Sequence, residues 1–350
     1  MRDFYKMLET IQNNPDKRFS LATIFRVQGS SYRKAGAKML IGEDGQHIGT
    51  ISAGCLEGDL FYHALASMKQ KETKIVTYDL MAEDDLGWGQ GAGCNGIIDV
   101  FVEPFYWADC PSLYEKIMEA MRQGEEVVSV KRLGDNIYPQ TLYYSMEFEL
   151  LGAIGDGDIA DGAFVDKVKQ LAGVRNKKEI PTFSHEGKAY IVETHLPKDL
   201  LYVFGAGPDA EPLVKFASSL DFHITVIDPR SARCNRDFFE AADVLVVEHP
   251  KIFLRNYKMP HNSYCIVMTH HFQRDKEIME QLKDRPLKYL GFLGPRSRTE
   301  RLCAPDPLPE RIHSPIGIEI FAEGAEEISI SILSELIKIR NSHYLMKQKA

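Results

Sequence analysis

The sequence predicts an α/β protein in two parts: a mixed α+β domain over residues 1–197 and a doubly wound parallel sheet over residues 198–350. Three observations carry this. From Leu200 onward, short apolar runs alternate with helical spacing. Before Pro197, short strands, hairpin turns and glycine loops prevail instead. Between the two patterns, Pro197-Lys198-Asp199 supplies a break of linker type. A chain of 350 residues is also long for one hydrophobic core.

The stretch Leu200–Arg230, LLYVFGAGPDAEPLVKFASSLDFHITVIDPR, organises the second part. The apolar run Leu200–Phe204 ends at Gly205-Ala206-Gly207, with Pro208 at a first helical position. Leu213, Phe216, Ala217 and Leu220 recur at helical spacing, and a second apolar run, His223–Ile227, closes on Asp228. Strand, glycine turn, helix, strand and acid form the layout of a dinucleotide-binding unit, so the second domain is expected to be Rossmann-like. Gly205 makes the tight turn. Gly207 lets the backbone approach a pyrophosphate at the helix N-terminus, where unpaired N–H groups favour an anion. Ala210 takes the third small-residue position, and Asp228 is placed to accept hydrogen bonds from a ribose. That acid favours NAD over NADP, whereas Arg230 and Arg233 just beyond it would accommodate a 2′-phosphate. Asp209 and Glu211 suit the helix dipole but would repel a pyrophosphate they faced. Many doubly wound domains keep such a turn without a dinucleotide, so NAD(P) binding and a structural turn both stand.

In an open parallel sheet, ligands gather outside the carboxyl ends of the strands. That rule collects Gly205, Asp228, Thr269-His270-His271 and the segment Gly294–Arg298 along one edge. His270, after a strand and before a helix, is a candidate for acid–base work or phosphate contact. Arg296 and Arg298 at a helix start would clamp an anion or form a solvated basic turn.

In the first part, Phe4–Ile11 reads as a helix, and Phe19–Val27, Lys38–Ile41 and His47–Ser52 as strands. Helical spacing resumes over Leu60–Met68. Cys55 therefore falls between a strand and a helix, beside Gly54 and ahead of Glu57 and Asp59. A helix N-terminus lowers a thiol pKa, while neighbouring acids raise it; the alternative is a small residue filling a tight turn. Lys74–Tyr78 and Ile97–Val102 read as strands on either side of a glycine loop, LGWGQGAGCNG, that holds Trp88, Gly93 and Cys94. Five glycines mean tight turns or a backbone that approaches something closely, and Trp88 and Cys94 favour a ligand-contacting loop over a solvated linker. Pro111–Gln123 follows as a helix, then strands at Glu126–Arg132, Gln140–Tyr144 and Lys188–Thr194, with Pro181–Gly187 read as a turn region.

The net charge of −8, without a basic run, argues against nucleic-acid or anionic-membrane partners. No apolar stretch is long enough to cross a membrane, and the start MRDFYKMLET reads as an amphipathic helix and not a signal peptide. The six cysteines form no C-x-x-C pair, which predicts reduced thiols in a cytoplasmic protein and no metal site.

These segments, taken together, resemble the XdhC/CoxI family of accessory factors for molybdenum hydroxylases. The resemblance rests on Gly29-Ser30-Ser31-Tyr32-Arg33 through Gly36-Ala37-Lys38-Met39, on GTISAGCLEGD (Gly49–Asp59) and on Gly91–Pro104. It continues through Gly205-Ala206-Gly207 with Asp228-Pro229-Arg230, Met268-Thr269-His270, YLGFLGPR (Tyr289–Arg296) and Ser314-Pro315-Ile316-Gly317. The resemblance implies an N-terminal family domain joined to a Rossmann-like one. It implies transient binding of molybdenum cofactor and its delivery, in sulfurated form, to a xanthine dehydrogenase-like enzyme. A cysteine desulfurase is the implied sulfur source, and a homodimer is expected. Cys55 with Gly54, and Cys94 with Gly93, match the family's two cysteine motifs, with His270, Gly205, Gly207, Asp228, Arg230, Gly294 and Arg296 as the matching positions of the second domain. Ala53 and Asn95 stand where the family often has glycine. No molybdenum or iron–sulfur ligand set is visible, so the chain does not read as the dehydrogenase itself. The competing reading is an NAD(P)-dependent oxidoreductase acting on its own small substrate.

Overall fold

The computed structural model describes residues 3–80, 96–155, 161–174, 176, 178–260 and 262–347. The chain divides into two compact units, Met1–Pro197 and Lys198–Ala350.

The first unit is built on two five-stranded antiparallel sheets. One contains β1 (Phe19–Gly29), β2 (Lys38–Gly42), β3 (His47–Gly49), β4 (Lys74–Asp79) and β5 (Gly96–Pro104), in the order β3-β2-β1-β5-β4. The other contains β6 (Val127–Leu133), β7 (Thr141–Tyr144), β8 (Leu150–Ile154), β9 (Thr182–His185) and β10 (Lys188–His195), in the order β8-β7-β6-β10-β9. Strand alternation sorts the side chains. Ala22, Ile24, Met39, Ile41, Ile98, Val100 and Val102 cluster with Leu60, Ala64 and Met68 of α2 (Glu57–Gln70). On the second sheet, Val128, Val130, Tyr190 and Val192 pack against Phe164 and Val168 of α4 (Gly162–Leu171), whose N-terminus Asp161 caps by accepting from the Phe164 N–H at 2.7 Å. The remaining faces meet each other, with Phe25 and Phe101 against Ile191. Two amphipathic helices, α1 (Asp3–Gln12) and α3 (Pro111–Arg122), share a further cluster with Leu21, Leu40, Val127 and Tyr143.

Between the sheets lies a buried ion network. Lys38 on β2 pairs with Glu193 on β10, and Lys131 on β6 pairs with Glu103 on β5 and stands 3.7 Å from Glu193. Each pair therefore joins one sheet to the other, and all four residues are buried. Burial alone would raise the Glu193 carboxyl, but Lys38 and Lys131 beside it hold it down at about 2. His195, at the end of β10, is pushed well below its ordinary value by burial; it stacks on Phe4 at 3.9 Å and meets Ser129 Oγ at 2.8 Å.

The second unit is one parallel sheet of β11 (Asp199–Phe204), β12 (Phe222–Ile227), β13 (Val244–Val246), β14 (Tyr264–Val267), β15 (Tyr289–Phe292) and β16 (Ile312–His313), in the order β13-β12-β11-β14-β15-β16. Alternate residues of the apolar β11 run serve opposite faces. Leu201 and Val203 join the core under α5 (Ala210–Ser218) and α9 (Gly324–Lys347). Leu200, Tyr202 and Phe204 join the core under α6 (Pro250–Asn256), α7 (Phe272–Leu282) and α8 (Arg296–Cys303). That two-sided burial is why β11 reads as an uninterrupted apolar run.

Two local readings change. Pro208 is not in the helix: Ala210 N–H first donates to the Gly207 carbonyl at 3.0 Å, so a turn precedes α5. The Pro181–Gly187 turn region contains β9, which pairs with β10 across Glu186 and Gly187, at φ 49° and 73°. Positive φ at both central residues is the twist-matched hairpin turn, and β9 is too short and too polar to stand out in the sequence.

Lys131→Met is expected to cost about 3–5 kcal/mol in denaturant titration, because it strands the buried Glu103 charge and takes one of two lysines from Glu193; adding Glu103→Leu should recover much of that loss. Glu193 has a depressed folded pKa, so its stabilisation is complete above the unfolded value near 4.3 and is lost as pH falls toward about 2. Acid titration of the folded protein should show this loss below about pH 4.5, and Glu193→Gln should flatten the profile there.

Candidate functional site

In the second unit the turn after β11 is fastened from both sides. Gly205 has φ 118°, and a Cβ placed on it would come within 2.5 Å of the Met268 carbonyl oxygen, so only glycine fits where the turn after β11 passes the chain just beyond β14. The Ala206 N–H donates to Asp228 Oδ2 at 2.9 Å, and the Ala206 carbonyl accepts from Arg233 Nε at 3.0 Å. Asp228 is buried and accepts three further bonds from Arg230: the backbone N–H at 2.9 Å, Nε at 2.8 Å and Nη2 at 2.7 Å. Burial would raise its carboxyl, but these donors keep it below the ordinary range. A carboxylate offers about four lone-pair positions, and all are used. A ribose would reach Asp228 only by displacing Arg230, so this acid acts first as the clasp of the turn.

Gly207 differs from Gly205. A Cβ there would meet only His270 Cδ2, at 3.8 Å, so packing does not demand glycine, and the bare backbone leaves room for an approaching group. His270, in the left-handed region at φ 55°, is exposed and has Nε2 3.1 Å from Asp209 Oδ2. Ala210 is fully buried, with its N–H turned into the turn. Gly294 has φ 110°, and a Cβ placed on it would meet Arg298 Cδ at 3.7 Å. Arg296 is engaged by Glu300 at 3.1 Å and Arg298 by the buried Asp275 at 2.6 Å, so both cations are met by carboxylates. Asp275 also accepts from Thr269 Oγ1, whose oxygen in turn accepts the His271 N–H at 3.1 Å. The roles of Asp275 and of Arg233 as a turn clamp were not legible in the sequence, since neither belongs to a local motif.

In the first unit the loop from Thr50 to Leu56 is knotted by Glu57. The Glu57 carboxylate accepts from the Ser52 N–H at 2.9 Å, from Thr50 Oγ1 at 2.6 Å and from Ser52 Oγ. Ser52 Oγ in turn accepts the N–H groups of Gly54 and Leu56, each at 3.1 Å. Burial opposes ionisation of Glu57, but the Ser52 and Thr50 hydroxyls win and hold it at about 2. Ala53, Gly54 and Cys55 are thereby left exposed between the buried Ser52 and Leu56. Gly54 has φ 113°, with open space where a Cβ would be. Glu57 is thus turned into the loop, and Asp59 into Tyr78 OH at 2.8 Å and His63 at 3.4 Å. Gly93, Cys94 and Trp88 lie outside the described residues. Among the described residues no group of three His, Cys, Asp or Glu side chains is placed to hold a metal ion, and no helix is long and apolar enough to cross a membrane.

Residues 201–336 match the XdhC Rossmann domain, and residues 14–79 match the XdhC and CoxI family. A Bacillus subtilis (strain 168) protein, described as a probable subunit of xanthine dehydrogenase, is 36% identical over 341 residues, covering 97% of this chain and 98% of its own. The chain belongs to the XdhC and CoxI family. Another relative, the Escherichia coli (strain K12) molybdenum cofactor insertion chaperone PaoD, is 21% identical over 332 residues, 91% of this chain and 83% of its own. A Bacillus halodurans crystal structure described as a xanthine dehydrogenase is 36% identical and superposes with a TM-score of 0.81, covering 98% of this chain and 96% of that one. The Rossmann-like sheet expected from the sequence is present, and the clasped turn lies in the matched Rossmann segment.

Gly205→Ala should lower stability by at least about 2 kcal/mol, through strain at positive φ and the clash with the β14 backbone. Gly207→Ala should leave the melting temperature unchanged. Parallel thermal melts of the two variants check the contrast.

Proposed function

We propose that this chain is a maturation factor that holds molybdenum cofactor as cargo and passes it, in sulfurated form, to a xanthine dehydrogenase-like hydroxylase. The observation that carries this reading is Cys55: an exposed thiol on a loop whose shape is held by Glu57, Ser52 and Thr50 and does not depend on the thiol. The names of the relatives, one a component of a dehydrogenase and one a cofactor insertion chaperone, support the same direction. A cysteine thiolate is a soft ligand suited to molybdenum. As a nucleophile it would take the terminal sulfur of a persulfide on a cysteine desulfurase, whose own cysteine leaves as thiolate, and then hand that sulfur on. The open space over Gly54 leaves room for a bulky planar cargo to approach. We assign Gly93 and Cys94 to the same cargo site through their family motif, and Gly207 and His270 to contacts with an anionic group at the Rossmann turn. A cytoplasmic homodimer is the state in which we expect the chain to act. The engagement of Asp228 by four donors counts against its serving as the ribose-binding acid of an NAD-dependent oxidoreductase.

Cys55→Ser should keep the parental melting temperature but lose cofactor retention and activation of a co-expressed xanthine dehydrogenase. Cys110 packs against the Ala153 carbonyl, and Cys110→Ser serves as the control. Molybdenum and sulfido content of the purified partner gives the readout. Full activation by Cys55→Ser would reduce this cysteine to a loop residue.

A further inference from the structure

We propose that a basic pocket on the amino edge of the second unit's sheet binds a small organic dianion, namely a phosphate monoester with a planar apolar body. The pocket, of about 380 Å³, is formed by the end of α6 and by the loops that lead into β14 and β15. Because the sheet is parallel, this edge is the one opposite the Gly205 turn. It is therefore separate from the site already described.

Arg255, Lys258 and Arg285 line the pocket, and no acidic residue does. In a chain of net charge −8, three cations without a facing carboxylate run against the average. Five other cations of the unit, Arg230, Arg233, Lys288, Arg298 and Arg340, are each paired with an acid. The side chains of Arg255 and Lys258 form no ion pair, hydrogen bond or ring contact among the described residues. Arg285 is held in place: its Nη2 donates to the Leu254 carbonyl at 2.9 Å, and its own carbonyl accepts from Arg311 Nη1 at 3.1 Å. The adjacent Asp284 faces Arg311, at 3.7 Å, and is not part of the lining.

The apolar wall is equally defined. Tyr257 is 43% exposed, yet its ring stacks on Phe253 at 5.1 Å and its hydroxyl meets Tyr202 at 3.2 Å. Leu254 and Leu287 complete the wall. One anchored guanidinium, a second free one and a flexible ammonium suit a doubly charged phosphate, with the fork of arginine meeting two oxygens and lysine acting as a point charge. The rigid tyrosine and leucines suit the planar body, and the volume lies in the range of small-ligand sites.

The test is calorimetric titration of the full-length protein with phenyl phosphate at low ionic strength. Saturable binding is expected, weakening as salt is added. Arg255→Gln/Lys258→Gln should reduce affinity by at least about tenfold, since two charged contacts are lost. The double variant should melt as the parent does, because neither side chain has a partner to lose. Lys6→Gln/Lys69→Gln, which removes two exposed charges from the first unit, should bind as the parent does. Absence of saturable binding, or undiminished binding by the double variant, would overturn the proposal. So would inorganic phosphate binding as tightly as phenyl phosphate, which would leave no role for the apolar wall. A glutamate-rich peptide binding through Arg255 and Lys258 while phenyl phosphate does not would instead make this edge a docking surface for an acidic protein segment.

Discussion

The second unit's carboxyl edge depends on the carboxylate of Asp228. A parallel sheet must end its central strand in a turn whose backbone groups cannot join the ladder, and here that turn passes close against the chain just beyond β14 at Gly205. Asp228 accepts the Ala206 N–H from below, while Arg233 donates to the carbonyl of the same residue. Arg230 neutralises the buried acid with a two-pronged contact that also holds the chain after β12. Without the acid, the Ala206 amide and the Arg230 guanidinium would lose their shared partner at once. The consequence for function is direct. The residue that a dinucleotide-binding sequence pattern offers to a ribose is already spent on the protein's own backbone.

The first unit repeats this logic at Glu57. A short run of unpaired backbone between β3 and α2 is tied by one depressed carboxylate and one serine hydroxyl, and the tie leaves Ala53, Gly54 and Cys55 outside. A thiol meant only to fill space would be expected inside such a knot. In keeping with that contrast, Cys234, Cys265 and Cys303 are buried, and burial pushes their thiols up. The exposed position of Cys55 thus follows from interactions that do not involve sulfur, and it leaves the thiol available to chemistry. Deeper in the unit, the Lys38–Glu193 and Lys131–Glu103 pairs bind sheet to sheet. Each pair takes two charges out of water, so breaking one costs more than the intact pair contributes.

The two units divide the candidate chemistry between them. One presents a thiol beside open backbone, and the other presents a glycine turn with room over Gly207 and a histidine held by Asp209. In the second, the acid after β12 is bound by its own chain and not presented to solvent.

The fold class and the alternation of strands and helices in the second unit could be read from the chain, because burial on one face or two writes its period directly into the residues. The full apolar run of β11, the helical spacing of α1 and α3 and the glycines at 205 and 207 all belong to this local code. Family membership was legible too, since its motifs are short and contiguous. Which polar groups are spent and which are free emerged only with the folded arrangement. Asp228 and Arg230 are two residues apart, but that they saturate each other depends on the turn folding beneath them. Lys38 and Glu193 are 155 positions apart, and Arg298 reaches Asp275 across two helices. Such pairings have no period and no spacing rule, because they are set by which strands and helices come to lie side by side. For the same reason β9, short and polar, became a strand only through its partner β10, and the basic pocket before β14 and β15 formed only where two distant loops met.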